Sequence, residues 1–228
     1  MLQENKKLAR GIGALLLLQF IIGILINQVL LGPHTFAADY LHQVAIHPSA
    51  ITMGMLLGLL NEIISIAIAV LLFPIFKTSK PGWAIAYLGF SFLNLAMVAI
   101  DNGNVQLLMA MGKAQEAAVQ PATGYFQSLG PLAYSARLWS HLNIFINASI
   151  SLGIFYYLLW VSKILPVFIS VWGLLATLCM LAAALLEVFH MGSFMVLFLP
   201  LAINQVWLIV WLLFKGFGVK ENISVQEI

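Results

Sequence analysis

Residues 49–76 read SAITMGMLLGLLNEIISIAIAVLLFPIF, an apolar stretch that one ionisable side chain, Glu62, interrupts. An α-helix rises about 1.5 Å per residue, so about 20 apolar residues cross the hydrocarbon core of a bilayer. A transmembrane β-strand is shorter and alternates between apolar and polar positions, which this stretch does not do. Residues 49–76 therefore predict a helix that spans a membrane.

The composition of the whole chain agrees with this prediction. Of its 228 residues, 62% are hydrophobic and 8% are charged, and the mean hydropathy is +1.02. An ordinary soluble domain has about 25% charged residues. The formal net charge of +2 is too small to form a nucleic-acid surface, and the single cysteine, Cys179, cannot form an internal disulfide. We therefore predict an integral membrane protein that does not bind nucleic acid.

Six stretches of the chain have the length and polarity of a membrane span. Because an open sheet cannot satisfy its backbone hydrogen bonds in lipid, we predict an all-α, polytopic transmembrane helical bundle. Its six spans form a single domain over residues 1–228, with the lipid bilayer as its partner. The predicted spans are residues 11–32, 49–76, 82–108, 132–161, 164–187 and 193–214.

The basic residues predict how these spans are oriented. With an even number of spans both termini lie on one side, and most of the 10 basic residues fall on that side. Basic residues are enriched in cytoplasmic loops, so we predict cytoplasmic termini and a multi-pass protein of the bacterial cytoplasmic (inner) membrane. The basic residues predicted to be cytoplasmic are Lys6, Lys7, Arg10, Lys77, Lys80, Lys163, Lys215 and Lys220.

Several polar residues lie inside the predicted spans. An ionisable group there costs at least about 2.5 kcal/mol on insertion scales, so each one is a candidate for function. We predict that these residues line an outward-facing polar pocket, with the first outer loop, which carries His34, His42 and His47, over its mouth. The candidates are Glu62, Asn94, Asn147, Asn204 and Gln205 near the midplane, and Asp101, Arg137, His141, Glu187 and His190 nearer the outer face.

The spacing of the charged candidates predicts which of them share a helix face. Arg137 and His141 are four residues apart, and Glu187 and His190 are three residues apart, so each pair lies on one face. Inside a bundle we expect Arg137 to pair with Asp101 or with Glu187, since a buried charge requires a partner.

A metal site is a further hypothesis for the outer face. The chain has one Glu-x-x-His arrangement, Glu187 and His190, whereas a di-metal carboxylate site requires two such arms. His141, Glu187 and His190 are candidates for a single metal ion, and the alternative is that Glu187 and His190 lie at the lipid headgroups. No other cofactor is predicted, since the chain has no Walker-type phosphate loop, no GxGxxG and no CxxCH.

Three stretches resemble a known family of bacterial membrane proteins. They are KKLARGIGALLLLQFIIGI at residues 6–24, ILPVFISVWGLLA at residues 164–176 and LPLAINQVWLIVWLLFKGF at residues 199–217. Over about residues 5–217 the chain is similar to the family known as domain of unknown function 4386. The resemblance implies a membrane protein with six spans, and it implies no substrate, cofactor or catalytic residue.

Four hypotheses for function remain open. The leading one is a non-enzymatic membrane protein whose polar pocket binds or senses a small molecule, a lipid or an ion. A second is an intramembrane enzyme with a metal ion held by His141, His190, Glu187 and Asp101, and with Glu62 as acid or base. The others are a proton-coupled transporter gated by Glu62 and an accessory subunit whose polar groups only join helices.

Overall fold

A computed structural model of the protein describes residues 2–117, 123–192 and 194–218. Within these ranges the chain is helical and has no β-strand. A π-helical turn, Ile26–Leu30, follows the first helix, and a 3₁₀-helix, Met195–Phe198, precedes the last. The α-helices are α1 (Leu2–Leu25), α2 (Gly32–Thr35), α3 (Tyr40–Ile46), α4 (Pro48–Ser79), α5 (Pro81–Ala117), α6 (Thr123–Ser162), α7 (Val167–Val188) and α8 (Leu199–Phe214).

Six helical stretches in the described part of the chain are long and apolar enough to cross a membrane. The prediction of an all-α, multi-pass membrane fold with six spans is therefore confirmed. The cytoplasmic location of the termini stays a prediction, and one of the basic residues used for it, Lys220, lies outside the described residues. The six stretches are Asn5–Thr35, Pro48–Ser79, Pro81–Ala117, Ser128–Ser162, Val167–Val188 and Met195–Phe214.

The helices extend further into the connecting segments than the predicted spans do. The span predicted to end at residue 108 lies in a helix that continues to Ala117, and the span predicted from residue 132 lies in a helix that begins at Thr123. Residues 109–117, MAMGKAQEA, are mostly good helix formers, so the helix outlasts its apolar part. The connection between the first two spans likewise contains α3, and α2 lies at the end of the first span. Hydropathy therefore located the spans but not the ends of the helices.

The chain divides into two compact units. Unit 1 comprises Met1–Leu17, Ala67–Phe90 and Ala148–Ile228, and unit 2 comprises Leu18–Ile66 and Ser91–Asn147. The predicted single domain over residues 1–228 stays a prediction.

Unit 1 has an aromatic core next to the hairpin of α7 and α8. The rings of Phe76, Tyr87 and Phe155 contact one another, with centroid separations between 5.5 and 6.4 Å. The buried ring of Tyr156 lies directly against Gly173 of α7, where any Cβ atom would collide with it. The absence of a side chain at residue 173 therefore allows α6 and α7 to approach closely.

Unit 2 holds the short helix α3 against α5 and α6. Val44 of α3 is completely buried, and the backbone of Leu41 lies so close to Gly112 of α5 that a Cβ atom there would collide with the Leu41 carbonyl oxygen. The ring of Tyr40 is tilted against that of Tyr134 of α6, with centroids 4.7 Å apart. The buried apolar residues around these contacts are Leu31, Val44, Ile51, Met55, Val105, Leu108, Met109 and Ala133.

Two glycines of α5 provide a test of this close packing. Gly112→Ala should destabilise the protein by about 1–3 kcal/mol, because the new methyl group has to displace backbone of α3. Gly103→Ala is the matched control, since residue 103 is exposed and has open space, and alanine favours a helix by roughly 0.5–1 kcal/mol. Thermal unfolding in detergent should show opposite shifts, and a lower midpoint for Gly103→Ala as well would contradict the assigned packing.

Candidate functional site

A buried ion pair connects α5 and α6 in unit 2. The Nη1 atom of Arg137 donates to Oδ1 of Asp101 at 2.8 Å, and the two residues are 1% and 4% exposed. The hydroxyl of Ser140 donates to the same Asp101 oxygen at 2.6 Å. The side-chain amide of Asn104 donates to the Ser140 oxygen at 3.0 Å. Asp101 is therefore held by two donors, one of which is itself positioned by a third side chain.

Arg137 has an aromatic cover on one face. Its Cζ atom lies 5.0 Å from the ring centroid of Phe36, which belongs to the short connection between α2 and α3. The ring of His141 lies 5.0 Å from the Phe36 ring and 4.7 Å from the Phe145 ring. The Nε atom of Arg137 is buried and has no hydrogen-bond partner among the described residues. The guanidinium thus retains a donor that the rest of the site does not use.

Sequence reasoning missed three residues of this site, namely Phe36, Ser140 and Asn104. The cost of burial in a membrane points to ionisable side chains, and an aromatic residue in a connecting segment carries no such cost. A single aromatic residue followed by two alanines, in HTFAAD, was the available signal.

A second set of polar side chains crosses three helices of unit 2. The amide of Asn94 in α5 donates to Oε2 of Glu62 in α4 at 3.0 Å. The amide of Asn147 in α6 donates to Oδ1 of Asn94 at 2.8 Å. Asn94 and Asp101 are seven residues apart, about 10 Å along one face of α5, so the polar groups occupy two levels of the same helix. Hydrogen bonds between helices are a common use of such amides within a membrane.

The three histidines between residues 34 and 47 form two groups. The rings of His34 and His47 are stacked, with centroids 4.2 Å apart. The Nδ1 atom of His42 lies 2.7 Å from Oε1 of Glu116, near the end of α5. His34 and His47 therefore contact each other, while His42 links α3 to α5.

Glu187 and His190 lie where α7 ends, in unit 1. His190 has a positive φ of 56°, its N–H donates to the Glu187 carbonyl at 3.0 Å, and the Met191 N–H donates to the Leu186 carbonyl at 2.8 Å. These two bonds close the end of a helix in the Schellman arrangement. The side chain of His190 is exposed. The described contact between Glu187 and His190 is therefore a backbone hydrogen bond at the end of α7.

Asn204 and Gln205 also belong to unit 1. Asn204 is fully buried, and its amide donates to the Ile169 carbonyl at 3.0 Å, which joins α8 to α7. Its Oδ1 atom and the Ser170 hydroxyl have no partner among the described residues. Gln205 is half-buried.

The ten predicted pocket residues are divided between the two units. Four of them lie in unit 1, namely Glu187, His190, Asn204 and Gln205. The other six lie in unit 2, where they form the two polar groups described above.

Metal ligation has no geometric support in the described residues, which include no group of three or more His, Cys, Asp or Glu side chains arranged to hold a metal ion. The metal candidates His141, Glu187 and His190 stay predictions from the sequence.

The fold and the polar residues define a multi-pass helical membrane protein with a buried ion pair between two of its helices. Residues 12–216 match the family model described as "Domain of unknown function (DUF4386)", and the chain belongs to this family. No curated protein and no solved structure matches the chain. The family agrees with the resemblance found in the sequence, and it specifies no activity.

Removal of one partner of the ion pair should destabilise the protein strongly. Asp101→Asn leaves the Arg137 guanidinium buried without a counter-charge, and loss of a buried partner costs about 3–5 kcal/mol. Asp101→Asn combined with Arg137→Gln should cost less than the sum of the two single variants, because neither charge then remains. Thermal or denaturant unfolding of the four proteins in one detergent measures this coupling, and additive effects would argue against a direct pair.

The contact between α3 and α5 should depend on pH. The hydrogen bond that His42 donates to the Glu116 carboxylate raises the pKa of His42 above its ordinary value of 6.5, and the negative charges of Glu116 and Asp39 act in the same direction. A raised pKa in the folded state means that the contact stabilises the protein below pH 6.5 and is lost as the pH rises through the folded pKa. Glu116→Gln should lower the His42 midpoint in an NMR titration, and Asp39→Asn should lower it less. Equal shifts in both variants would remove Glu116 as the main partner.

Proposed function

We propose that this protein is a non-enzymatic binding protein of the bacterial cytoplasmic membrane that recognises a ligand with an anionic oxygen at Arg137. The ligand is a small molecule or lipid with a carboxylate or phosphate group. The observation that carries the proposal is the buried Nε donor of Arg137, which has no partner among the described residues and lies beneath Phe36.

The energetic argument begins with the cost of the pair. Two charges buried in a membrane-spanning region are expensive, and apolar side chains of similar volume would join two helices at least as well. A requirement for helix packing alone therefore gives little reason for Arg137 and Asp101. Glu62, Asn94 and Asn147 already connect α4, α5 and α6 through hydrogen bonds. The charged pair is better explained by recognition of a ligand.

The chemistry of recognition follows from the geometry of the guanidinium group. Asp101 receives a hydrogen bond from Nη1, while Nε has no partner in the described part of the chain. Carboxylate and phosphate oxygens bind a guanidinium edge through charge-assisted and often bidentate hydrogen bonds. Ser140, which Asn104 positions, holds Asp101 in place while the ligand binds. The site therefore favours an oxyanion over a neutral carbonyl.

Access to this edge depends on Phe36. The ring covers Arg137 on one side and is about one-third exposed on the other. It belongs to the bend between α2 and α3, while α3 itself is anchored by Val44 and by the close contact of Leu41 with Gly112. We assign Phe36 as the movable cover of the site. With the orientation predicted from the basic residues, the ligand arrives from the outer side.

Two defined anions test the proposal, namely succinate for carboxylates and sn-glycerol 3-phosphate for phosphates. Each is titrated into the detergent-purified protein, and the thermal unfolding midpoint is followed. At least one probe should raise the midpoint, as expected for a ligand that binds the folded state. Phe36→Ala should lower the apparent Kd of that probe about threefold, because it removes a cation–π contact that the ligand otherwise displaces.

The double variant Asp101→Asn with Arg137→Gln should abolish the response, and its paired neutral side chains give it a better chance of folding than either single variant. Phe92→Ala is the matched control, since Phe92 is an exposed phenylalanine of α5 in the same unit. An equal response in the wild type and the double variant would refute the assignment of Arg137. No response to either probe in the wild type and Phe36→Ala would refute the proposed ligand class.

A further inference from the structure

A surface depression of about 350 Å³ lies between α4 and α5 in unit 2, apart from the polar groups described above. None of the ten predicted pocket residues contributes to its lining. The lining residues are Pro48, Ser49, Thr52, Met53 and Leu56 of α4, and Met109 and Lys113 of α5.

The two ends of the depression differ in chemistry. Ser49 and Thr52 in the first turns of α4 and Lys113 near the end of α5 provide hydroxyl groups and an ammonium group. Leu56 lies seven residues beyond Ser49, about 10 Å further along α4, and the apolar side chains of Met53 and Leu56 are more than half exposed. The depression therefore has a polar end near the helix termini and an apolar end deeper in the spans.

Lys113 has a charge that the described protein does not neutralise. It makes no ion pair with any residue in the described ranges, and its side chain is exposed. The other basic residue of unit 2 is Arg137, which is buried and paired with Asp101. The Thr52 hydroxyl donates to the Pro48 carbonyl, so Lys113 and Ser49 are the donors left for a ligand at the polar end.

We propose that this depression binds one anionic phospholipid of the surrounding bilayer. The lipid phosphate lies against Lys113 and Ser49, and an acyl chain lies against Met53, Leu56 and Met109. Charge complementarity favours the anionic headgroup, since a lysine near a membrane surface attracts acidic lipids. The apolar end favours a lipid over a free anion, because Met53 and Leu56 belong to a membrane-spanning stretch, where an acyl chain is stable and a free anion is not. This site is independent of Arg137 and does not rest on the function proposed for it.

Native mass spectrometry of the full-length protein in detergent micelles measures this binding. Dioleoyl phosphatidylglycerol should bind more tightly than dioleoyl phosphatidylcholine, which has the same chains and no net charge. Lys113→Gln should weaken the binding of phosphatidylglycerol about fivefold and leave phosphatidylcholine unchanged. Lys113→Arg should retain the preference. Because residue 113 is exposed, these variants are expected to fold.

Lys77→Gln is the matched control, since Lys77 is an exposed lysine in the last turn of α4, outside the depression. An equal loss in Lys77→Gln and Lys113→Gln would show general attraction to basic residues and overturn the proposal. Unchanged phosphatidylglycerol binding in Lys113→Gln would also overturn it. Dihexanoyl phosphatidylglycerol tests the apolar end, and binding as tight as that of the dioleoyl lipid would refute the acyl-chain contact.

Discussion

The hydrocarbon core of a bilayer offers no water to a peptide group, and this constraint governs the whole structure. Every N–H and C=O in a span has to find a partner within the chain, which the helix achieves with bonds four residues apart. The six apolar helical stretches are the consequence. The same constraint acts on side chains, because a polar atom that loses water has to bond to another part of the protein.

The buried polar residues of unit 2 show two responses to that constraint. Hydrogen bonds join Glu62, Asn94 and Asn147 across three helices. These bonds offset the free energy of burying the polar groups and connect the helices. Asp101 and Arg137 also pair, but the guanidinium keeps a donor without a protein partner. That donor belongs to a buried cation and has the chemistry to bind an anionic oxygen, which is why the proposed function rests on the ion pair.

Glycines and small residues determine how closely the segments pack. Gly112 allows the backbone of α3 to lie on α5, and Gly173 allows the Tyr156 ring to lie on α7. In a membrane such close approach replaces the hydrophobic drive that packs soluble proteins. The position of α3 matters for the site, because the bend that precedes it carries Phe36 over Arg137. The contact of α3 with α5 therefore helps to place Phe36 over Arg137.

Much of the fold followed from composition, since a run of apolar residues of sufficient length has one stable structure in lipid. Helix ends were less predictable. Residues 109–117 remain helical although their hydropathy falls, because helix propensity and membrane depth are different properties. The importance of Glu62, Asp101 and Arg137 as candidates also followed from the cost of burying them.

The sequence by itself determined the number, approximate position and helical character of the spans, because those depend on each segment and its solvent. The tertiary structure decided which polar residues meet. Asn94 bonds to residues 32 and 53 positions away, and Asp101 to a residue 36 positions away, and such pairs depend on the rotation and register of neighbouring helices. It also decided that His190 closes the end of α7 and that Phe36 covers Arg137. Local composition specifies neither result, because the end of α7 depends on the left-handed backbone of His190 and the Phe36 contact depends on which segments the fold brings together.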